Sequence, residues 1–407
     1  MKSSLKILPN NRLIDENINL PTSKSISNRV LIINELAGSQ LKINNLSQSD
    51  DTQVLANILR SDNSFFDIGA AGTTMRFLTA FLAQRSGEWQ LTGSERMKQR
   101  PIKILVNAIN SLGGDIQYLE KKGFPPLKIT GKRLNGGEIE LDGGVSSQYI
   151  SALMMIAPTM KNGLKMKLKG EIISVPYILM TKAIMEEYGI NVTFENNTIS
   201  ILPQNYEPIS YTVEADWSGA SYWYEILALD KNGTIELNNL YSNSLQGDKK
   251  IADIFTNFGI ETIFTKKSVK LHYNKDLVFK DKIFKYDFTD TPDLAQTVVV
   301  TSCLLSIPFE FTGLQSLRIK ETDRINALST ELKKLGFLLQ EKDHDKLLWS
   351  GERCNAENQP IIQTYEDHRM AMSFAPIGLI QPIEIENPEV VSKSYPNFWQ
   401  DFKKIFL

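Results

Sequence analysis

The chain has 407 residues, of which 42% are hydrophobic and 23% are charged, and its formal net charge is −2. This length allows two or three domains with substantial cores, and the near-neutral charge excludes a global attraction to nucleic acid or membranes. Cys303 and Cys354 give neither a disulfide framework nor a metal-ligand spacing, which fits a reducing cytoplasm. Residues 1–4 lead into no apolar stretch of the signal-peptide type, and the apolar run 297–309 is too short to cross a bilayer.

Two kinds of helical segment alternate along the chain. Amphipathic segments each end at a glycine, the usual C-terminal stop, and these glycines are about 70 to 77 residues apart. They cover residues 101–112, 176–188, 248–258 and 323–335. The other segments are apolar on nearly all sides, as is typical of buried helices, and cover residues 73–82, 147–157, 218–229, 295–306 and 370–379.

Short strand-like runs follow each of these glycines. The first runs cover residues 115–119, 191–194, 261–265 and 337–340, and the second runs cover 127–130, 198–202 and 346–349. A fixed period of this size indicates a repeated supersecondary unit. We therefore predict an α/β (α+β) chain in which strand, buried helix, strand, outer helix and two strands form each repeat. Two domains of three repeats follow, with a boundary near residues 203–211.

Cations stand where several of these helices are predicted to begin. Lys24 and Arg29 lie in a serine-rich stretch in which Ser23 or Ser25 can cap a helix. Positive charge is unfavourable at a helix N-terminus unless an anion is bound there, and helix N-termini readily bind phosphate or carboxylate. A capped surface helix with solvated charges explains one such stretch equally well.

Similar helix starts recur through the first half of the chain. Gly72 closes a glycine-bracketed turn that is followed by Arg76, while Arg100 precedes Pro101 at another start. The remaining polar residues at these starts are Ser146, Ser147, Gln148, Ser174 and Tyr177. A tight turn, a plain cap or simple packing accounts for each of these features when it is taken alone.

The second half of the chain adds two carboxylates to the cations. Asp293 follows a proline at a helix start, and Glu321 lies in a run of four charges in which Thr322 is the expected cap. The cations at helix starts or in loops are Lys24, Arg29, Arg100, Lys320, Arg324, Arg369 and Lys393. Together they predict a strongly positive site for ligands with several negative charges, in which Asp293 and Glu321 are the candidate acid/base groups.

These stretches, taken in order, resemble the 5-enolpyruvylshikimate-3-phosphate synthase (3-phosphoshikimate 1-carboxyvinyltransferase) family. The matching pieces are Ser23-Lys24-Ser25-Ile26-Ser27-Asn28-Arg29, Ala71-Gly72-Thr73-Thr74-Met75-Arg76, Arg100-Pro101-Ile102, Pro125-Pro126-Leu127, Val145-Ser146-Ser147-Gln148, Lys320-Glu321-Thr322-Asp323-Arg324, Asp367-His368-Arg369-Met370-Ala371-Met372 and Lys393. The resemblance implies a first domain at 21–213 and a discontinuous second domain at 1–20 plus 214–407. It places the active site in the cleft between them.

The resemblance also implies a reaction and the residues that serve it. The enolpyruvyl group of phosphoenolpyruvate passes to the 5-hydroxyl of shikimate 3-phosphate, in chorismate and aromatic amino acid biosynthesis, in a cytoplasmic monomer without metal or organic cofactor. The implied catalytic residues are Asp293, Glu321 and Lys24. The implied shikimate-3-phosphate contacts are Lys24, Ser25, Arg29, Ser146, Ser147, Ser174, Tyr177, Asp293 and Lys320. The implied phosphoenolpyruvate contacts are Lys24, Gly72, Arg100, Gln148, Arg324, Arg369 and Lys393.

Some positions depart from the family pattern, and two other functions fit the same residue types. Residues of unusual type stand at Thr22, Ala70, Phe77, Val175 and Ser316. The related UDP-N-acetylglucosamine enolpyruvyl transferases share the implied fold but usually carry a reactive cysteine in an arginine-rich loop, a position that neither cysteine here fits. A non-catalytic protein that binds phosphorylated metabolites could keep the cations without keeping both Asp293 and Glu321.

Overall fold

The computed structural model of the chain describes residues 3–9 and 13–406. Residues 1–2 of the opening stretch, residues 10–12 of the expected second domain and residue 407 lie outside the described residues. Within the described ranges, no helix has the length and apolar character needed to cross a membrane.

Strands and helices alternate along the described residues. The strands are β1 Ser4–Ile7, β2 Asp15–Ile18, β3 Ile43–Asn44, β4 Phe65–Asp67, β5 Gly87–Thr92, β6 Asp115–Tyr118, β7 Leu127–Gly131, β8 Gly137–Asp142, β9 Leu164–Lys169, β10 Thr193–Glu195, β11 Thr198–Ile201, β12 Tyr211–Thr212, β13 Thr234–Asn238, β14 Ile260–Phe264, β15 Ser268–Tyr273, β16 Phe284–Asp287, β17 Phe309–Thr312, β18 Gln340–Lys342, β19 Lys346–Trp349, β20 Ile361–Ile362 and β21 Ile383–Glu386. The α-helices are α1 Lys24–Leu36, α2 Asp50–Leu59, α3 Gly72–Gln84, α4 Glu95–Lys98, α5 Lys103–Ser111, α6 Ser147–Ile156, α7 Val175–Glu187, α8 Trp217–Asp230, α9 Ile251–Thr256, α10 Ala295–Leu304, α11 Arg324–Lys334, α12 His368–Phe374 and α13 Phe398–Lys404.

The chain forms two compact units. The N-terminal unit comprises Thr22–Val213, and the C-terminal unit comprises Met1–Pro21 together with Glu214–Leu407. The described part of the N-terminal unit contains the sheets β4-β5-β7-β6, β10-β11-β9-β8 and β12-β3. The described part of the C-terminal unit contains the sheets β14-β15-β13-β2, β16-β17-β19-β18 and β1-β21-β20.

The four-stranded sheets share one topology, which confirms the predicted repeat. In each sheet the first two strands of the repeat are parallel, and the last two form an antiparallel hairpin beside the second strand. A parallel pair needs a crossover connection, and here the buried helix provides it. The outer helix then leads into the hairpin, so the order of elements is βαβαββ.

One repeat of the C-terminal unit takes its first strand from the start of the chain. β2 pairs in parallel with β13, more than 200 residues later in the sequence. The backbone N–H of Asp216 donates to the carbonyl oxygen of Pro21 at 2.8 Å, so the two chain segments that border the N-terminal unit lie side by side in the C-terminal unit.

The local signals located the elements well but missed some boundaries. The glycines that follow the four outer helices all have positive φ, between 81° and 98°, as the C-terminal stop requires. The prediction of a strand at 337–340 is wrong, because β18 begins at Gln340 and Phe337 forms only an isolated bridge with Arg353. Thr322 is not the cap of α11: Asp323 is the N-cap, and its carboxylate accepts from the backbone N–H of Asn326.

Glu225 is a fully buried acid in the core of the C-terminal unit. Glu225 lies in α8 with no exposed surface, beside the hydroxyl of Thr301. Burial raises the pKa of Glu225 well above its usual value, because the charged form loses its hydration. The folded protein therefore binds more protons than the unfolded chain above about pH 4.5, and this group makes the fold less stable as pH rises toward its folded pKa.

We expect Glu225→Gln to be more stable than the wild type at pH 8 and to have a flatter pH dependence. A neutral amide of the same shape has no proton to lose. It therefore removes the effect of the raised Glu225 pKa, which lowers the free energy of unfolding by up to about 1.4 kcal/mol per pH unit. Urea unfolding between pH 5 and pH 8 measures the difference, and Glu357→Gln, at an exposed position, is the matched control. Equal slopes for the wild type and Glu225→Gln would contradict this account.

Candidate active site

The first helix of the N-terminal unit begins at a half-buried cation. Ser23 caps α1 by accepting from the backbone N–H of Ile26 at 3.4 Å, so Lys24 is the first helical residue. The Lys24 Nζ lies 3.4 Å from Oδ2 of Asp51, at the start of α2. Asp51 therefore balances the charge that Lys24 brings to a helix N-terminus, where it would otherwise be unfavourable.

Arg29 is almost fully buried, and its described hydrogen bonds go to neutral oxygens. Its Nε donates to Oγ1 of Thr181 at 2.7 Å, Nη1 to the carbonyl oxygen of Ser25 at 2.8 Å, and Nη2 to Oγ of Ser151 at 3.1 Å and to the carbonyl oxygen of Tyr177 at 3.4 Å. Burial lowers the pKa of Arg29 to about 10. A bound anion would compensate this buried positive charge. The hydrogen bonds of Arg29 also place Ser25 and Tyr177 next to its guanidinium.

A second cation lies over the N-terminus of α3. The Arg100 guanidinium is so close to Gly72 that a Cβ on this residue would be 2.6 Å from Nη1. Arg100 is 7% exposed, and its side chain forms neither a hydrogen bond nor an ion pair with any residue that the structure describes. Gln148, in the first turn of α6, reaches the same N-terminus of α3, where its Nε2 donates to Oγ1 of Thr73 at 3.2 Å.

Arg76 fixes the loop that carries Arg100. Its Nη1 donates to the carbonyl oxygen of Gly72 at 3.0 Å, and Nη2 donates to that of Pro101 at 3.3 Å. The Tyr149 hydroxyl donates to the same Pro101 oxygen at 2.5 Å. These contacts hold Arg100 and Gly72 in a fixed relation, which gives Arg76 a structural role near the start of α3.

The remaining predicted serines stand at the starts of α6 and α7. Ser146 caps α6 by accepting from the backbone N–H of Gln148 at 3.4 Å, and Ser147 is the first helical residue. Ser174 precedes α7 with φ 55°, a left-handed conformation that costs about 1–2 kcal/mol for a residue other than glycine. Its hydroxyl does not cap the helix, so the backbone strain serves no local capping purpose.

The C-terminal unit gathers its predicted residues around Asp293, which lies in the 3-10 turn before α10. Arg369 Nη2 lies 3.0 Å from Asp293 Oδ2, while Arg324 Nη1 and Lys320 Nζ lie 3.0 Å and 3.6 Å from Oδ1. Burial alone would raise the pKa of Asp293, but the positive charges of these three side chains outweigh it and hold the pKa well below its usual value. Asp293 is therefore a carboxylate at neutral pH.

Glu321 and Asp367 complete the ion-pair network. Arg324 Nη2 donates to Glu321 Oε2 at 3.0 Å, and Arg324 Nε donates to Asp367 Oδ2 at 2.7 Å. Lys393 Nζ lies 3.2 Å from Glu321 Oε1. Burial opposes the charge of Arg324, but its carboxylate partners keep its pKa above the ordinary value. In this unit the carboxylates balance most of the positive charge, so the site is less positive than its cations alone predict.

Sequence reasoning missed three acids that support these groups. Asp51 pairs with Lys24, and Asp367 both binds Arg324 and caps α12. Asp248 is buried and accepts a hydrogen bond from the Ser218 hydroxyl, and burial together with the charge of Asp293 raises its pKa to about 7. An acid at a helix start was the available signal for Asp51 and Asp367, but their partners are distant in sequence.

The fold is similar to that of known enolpyruvyl transferases. EPSP synthase from Acinetobacter baumannii, solved at 2.37 Å, matches with a TM-score of 0.77 and 20% identity over 99% of this chain and 98% of that chain. A second structure of EPSP synthase from this organism matches with a TM-score of 0.76 and 19% identity over the same shares. The chain thus has the two-unit enolpyruvyl transferase fold.

Sequence relatives identify the family. The model of the family described as EPSP synthase (3-phosphoshikimate 1-carboxyvinyltransferase) matches residues 10–62 and 61–402. A 3-phosphoshikimate 1-carboxyvinyltransferase from Bacteroides fragilis (strain YCH46) is 52% identical over 96% of this chain and 95% of its own length. A protein of the same name from Photobacterium damsela subsp. piscicida is 35% identical over 99% of both chains. This chain belongs to the EPSP synthase family.

Proposed function

We propose that this chain transfers the enolpyruvyl group of phosphoenolpyruvate to the 5-hydroxyl of shikimate 3-phosphate and releases phosphate. The observation that carries the proposal is the network in which Arg324 bridges Asp293 and Glu321 at 3.0 Å each, beside three further cations. A protein that only binds phosphorylated metabolites needs the cations, but it has no use for two partly accessible carboxylates among them.

Asp293 is proposed to take the proton of the attacking hydroxyl. The hydroxyl oxygen then bonds to the central carbon of phosphoenolpyruvate, and the methylene carbon gains a proton to give a tetrahedral intermediate. Lys320 and Arg369 now support the charge of Asp293, and they are also proposed ligands of the substrates. As they turn toward substrate anions, the proton affinity of Asp293 rises, which suits a general base.

Glu321, together with Lys24, is proposed to deliver and remove the proton at the methylene carbon. Loss of this proton and of phosphate from the intermediate restores the double bond and completes the transfer. Glu321 is now paired with Lys393 and Arg324, both of which are proposed phosphoenolpyruvate ligands. Fixed cations are proposed to stabilise the charge of the intermediate, and binding of both substrates supplies proximity.

The proposed ligand contacts fall into two sets. Shikimate 3-phosphate would contact Lys24, Ser25, Arg29, Ser146, Ser147, Ser174, Tyr177, Asp293 and Lys320. Phosphoenolpyruvate would contact Lys24, Gly72, Arg100, Gln148, Arg324, Arg369 and Lys393. The buried guanidinium of Arg29 and the unpaired one of Arg100 support this division, because each lacks a carboxylate partner among the described residues. We further propose a cytoplasmic monomer that uses small-molecule substrates and no cofactor.

Phosphate release by the purified protein tests the proposal. We expect release from phosphoenolpyruvate in the presence of shikimate 3-phosphate and none in the presence of UDP-N-acetylglucosamine. Release only with UDP-N-acetylglucosamine would favour the related transferase activity. Release with neither substrate, combined with calorimetric binding of shikimate 3-phosphate, would favour the non-catalytic binding protein.

A further inference from the structure

One face of α11 contacts residues 361–367, the segment that leads into α12. Arg324 and Glu331 are seven residues apart, which is about two helical turns, so they share this face. Arg324 binds Asp367, whereas the Glu331 carboxylate accepts from the Tyr365 hydroxyl at 2.6 Å and from the backbone N–H of Gln363 at 3.1 Å. The helix therefore binds the segment at two points, through Arg324 and through Glu331.

Glu331 is fully buried, and both of its carboxylate oxygens accept hydrogen bonds from the segment. Lys334 Nζ lies 2.7 Å from Oε2, and the same ammonium donates to the carbonyl oxygen of Ile361 at 2.8 Å. A buried charge is tolerated only when it is paired and hydrogen-bonded, as it is here. The proposed chemistry does not use this carboxylate.

The segment contains two consecutive residues in an unfavourable conformation. Tyr365 and Glu366 have φ values of 52° and 56°, in the left-handed region that residues with a Cβ rarely occupy. Such a backbone persists only where its surroundings hold it. Asp367 follows directly, and Arg369, two residues later, places Nη2 3.0 Å from Asp293. This turn therefore leads directly into the helix that carries Arg369.

We propose that Glu331 and Tyr365 are positioning residues for Asp367 and Arg369. They hold the left-handed turn in place so that Asp367 reaches Arg324 and Arg369 reaches Asp293. The inference rests on the proposed function in one respect, since it takes Arg369 as a phosphoenolpyruvate ligand. Neither positioning residue is expected to touch a substrate.

Tyr365→Phe removes the hydroxyl and leaves the ring. We expect the KM for phosphoenolpyruvate to rise about tenfold because a displaced Arg369 binds less well, while the KM for shikimate 3-phosphate changes little. Tyr224→Phe is the control, since Tyr224 lies in the same unit and its hydroxyl also forms a side-chain hydrogen bond, with Oγ1 of Thr262 at 3.0 Å. Glu331→Gln, which keeps an acceptor for Tyr365, should lie between the wild type and Tyr365→Phe.

A merely structural role would lower the unfolding temperature of Tyr365→Phe and Tyr224→Phe alike and leave both KM values unchanged, which would overturn the inference. A crystal structure of Tyr365→Phe gives a second readout that needs no activity. We expect changed φ values at residues 365–366 and a changed distance between Arg369 and Asp293, and an unchanged geometry would overturn the inference. An inactive wild type would instead count against the proposed function, and the structural comparison would still decide the positioning role.

Discussion

Asp293→Asn is expected to lower kcat by about 10²- to 10⁴-fold, with much smaller changes in the KM values. The amide keeps the size of the side chain but cannot accept the hydroxyl proton. Arg324 retains its bonds to Glu321 and Asp367, so the network around it should survive. Steady-state phosphate release with shikimate 3-phosphate and phosphoenolpyruvate measures the effect, and Asp253→Asn, at an exposed carboxylate of the same unit, is the control.

The pH dependence gives a further check on the same residue. Because the folded pKa of Asp293 lies well below the ordinary value of 3.8, the group stays ionised as pH falls from 7 to 5. Its contribution to stability is present above the unfolded pKa and is lost only as pH falls through the lower folded value. Wild-type kcat/KM, whose pH dependence reports the free enzyme, should therefore show no loss from Asp293 over this range. Near-normal turnover of Asp293→Asn would remove this residue from the mechanism.

The repeat and most helix starts could be predicted from the sequence because the signals for them are local. A glycine after a helix and a serine before one act on the backbone within one turn, so α6 begins at Ser147 as the prediction allowed. Thr322 shows the limit of this reasoning. Several capping residues stand together at the start of α11, and only the observed hydrogen bond shows that Asp323 is the one used.

The wrong strand at 337–340 has a similar cause. Phe337 begins an apolar run that favours a strand, but pairing is set by the hairpin that joins β18 and β19. Asp343 and His344 occupy left-handed conformations in its turn, and the resulting register places Gln340 opposite Leu348. Turn geometry of this kind overrides the preference of the residues before it.

The partners of the charged residues could not be predicted, because they are distant in sequence. Arg29 is held by Thr181, which lies 152 positions away, and Arg324 by Asp367, which lies 43 positions away. Composition at a helix start reveals the cation but not the group that balances it. This is why the sequence predicts a strongly positive site, whereas the structure shows carboxylates paired with the cations of the C-terminal unit.

Arg100→Met is expected to raise the KM for phosphoenolpyruvate by about 10- to 100-fold, which corresponds to the loss of charge-assisted hydrogen bonds of about 1.5–3 kcal/mol. Arg100→Lys should recover only part of this, because an ammonium cannot bind an anion with two parallel bonds. Arg133→Met, at an exposed arginine of the same unit, is the control. A KM for phosphoenolpyruvate that matches the wild type would exclude Arg100 as a ligand.

The stability of the unliganded protein distinguishes a role of Arg100 in substrate binding from a structural role. The buried Arg100 side chain has no hydrogen bond or ion pair with any described residue, so its desolvation is uncompensated within this part of the chain. We therefore expect the unliganded Arg100→Met protein to unfold at the same temperature as the wild type or at a higher one, since an apolar side chain avoids this cost. A residue kept for packing would show the opposite, with lower stability and unchanged binding. Weaker binding together with equal or greater stability is the result expected of a cation whose partner is the substrate.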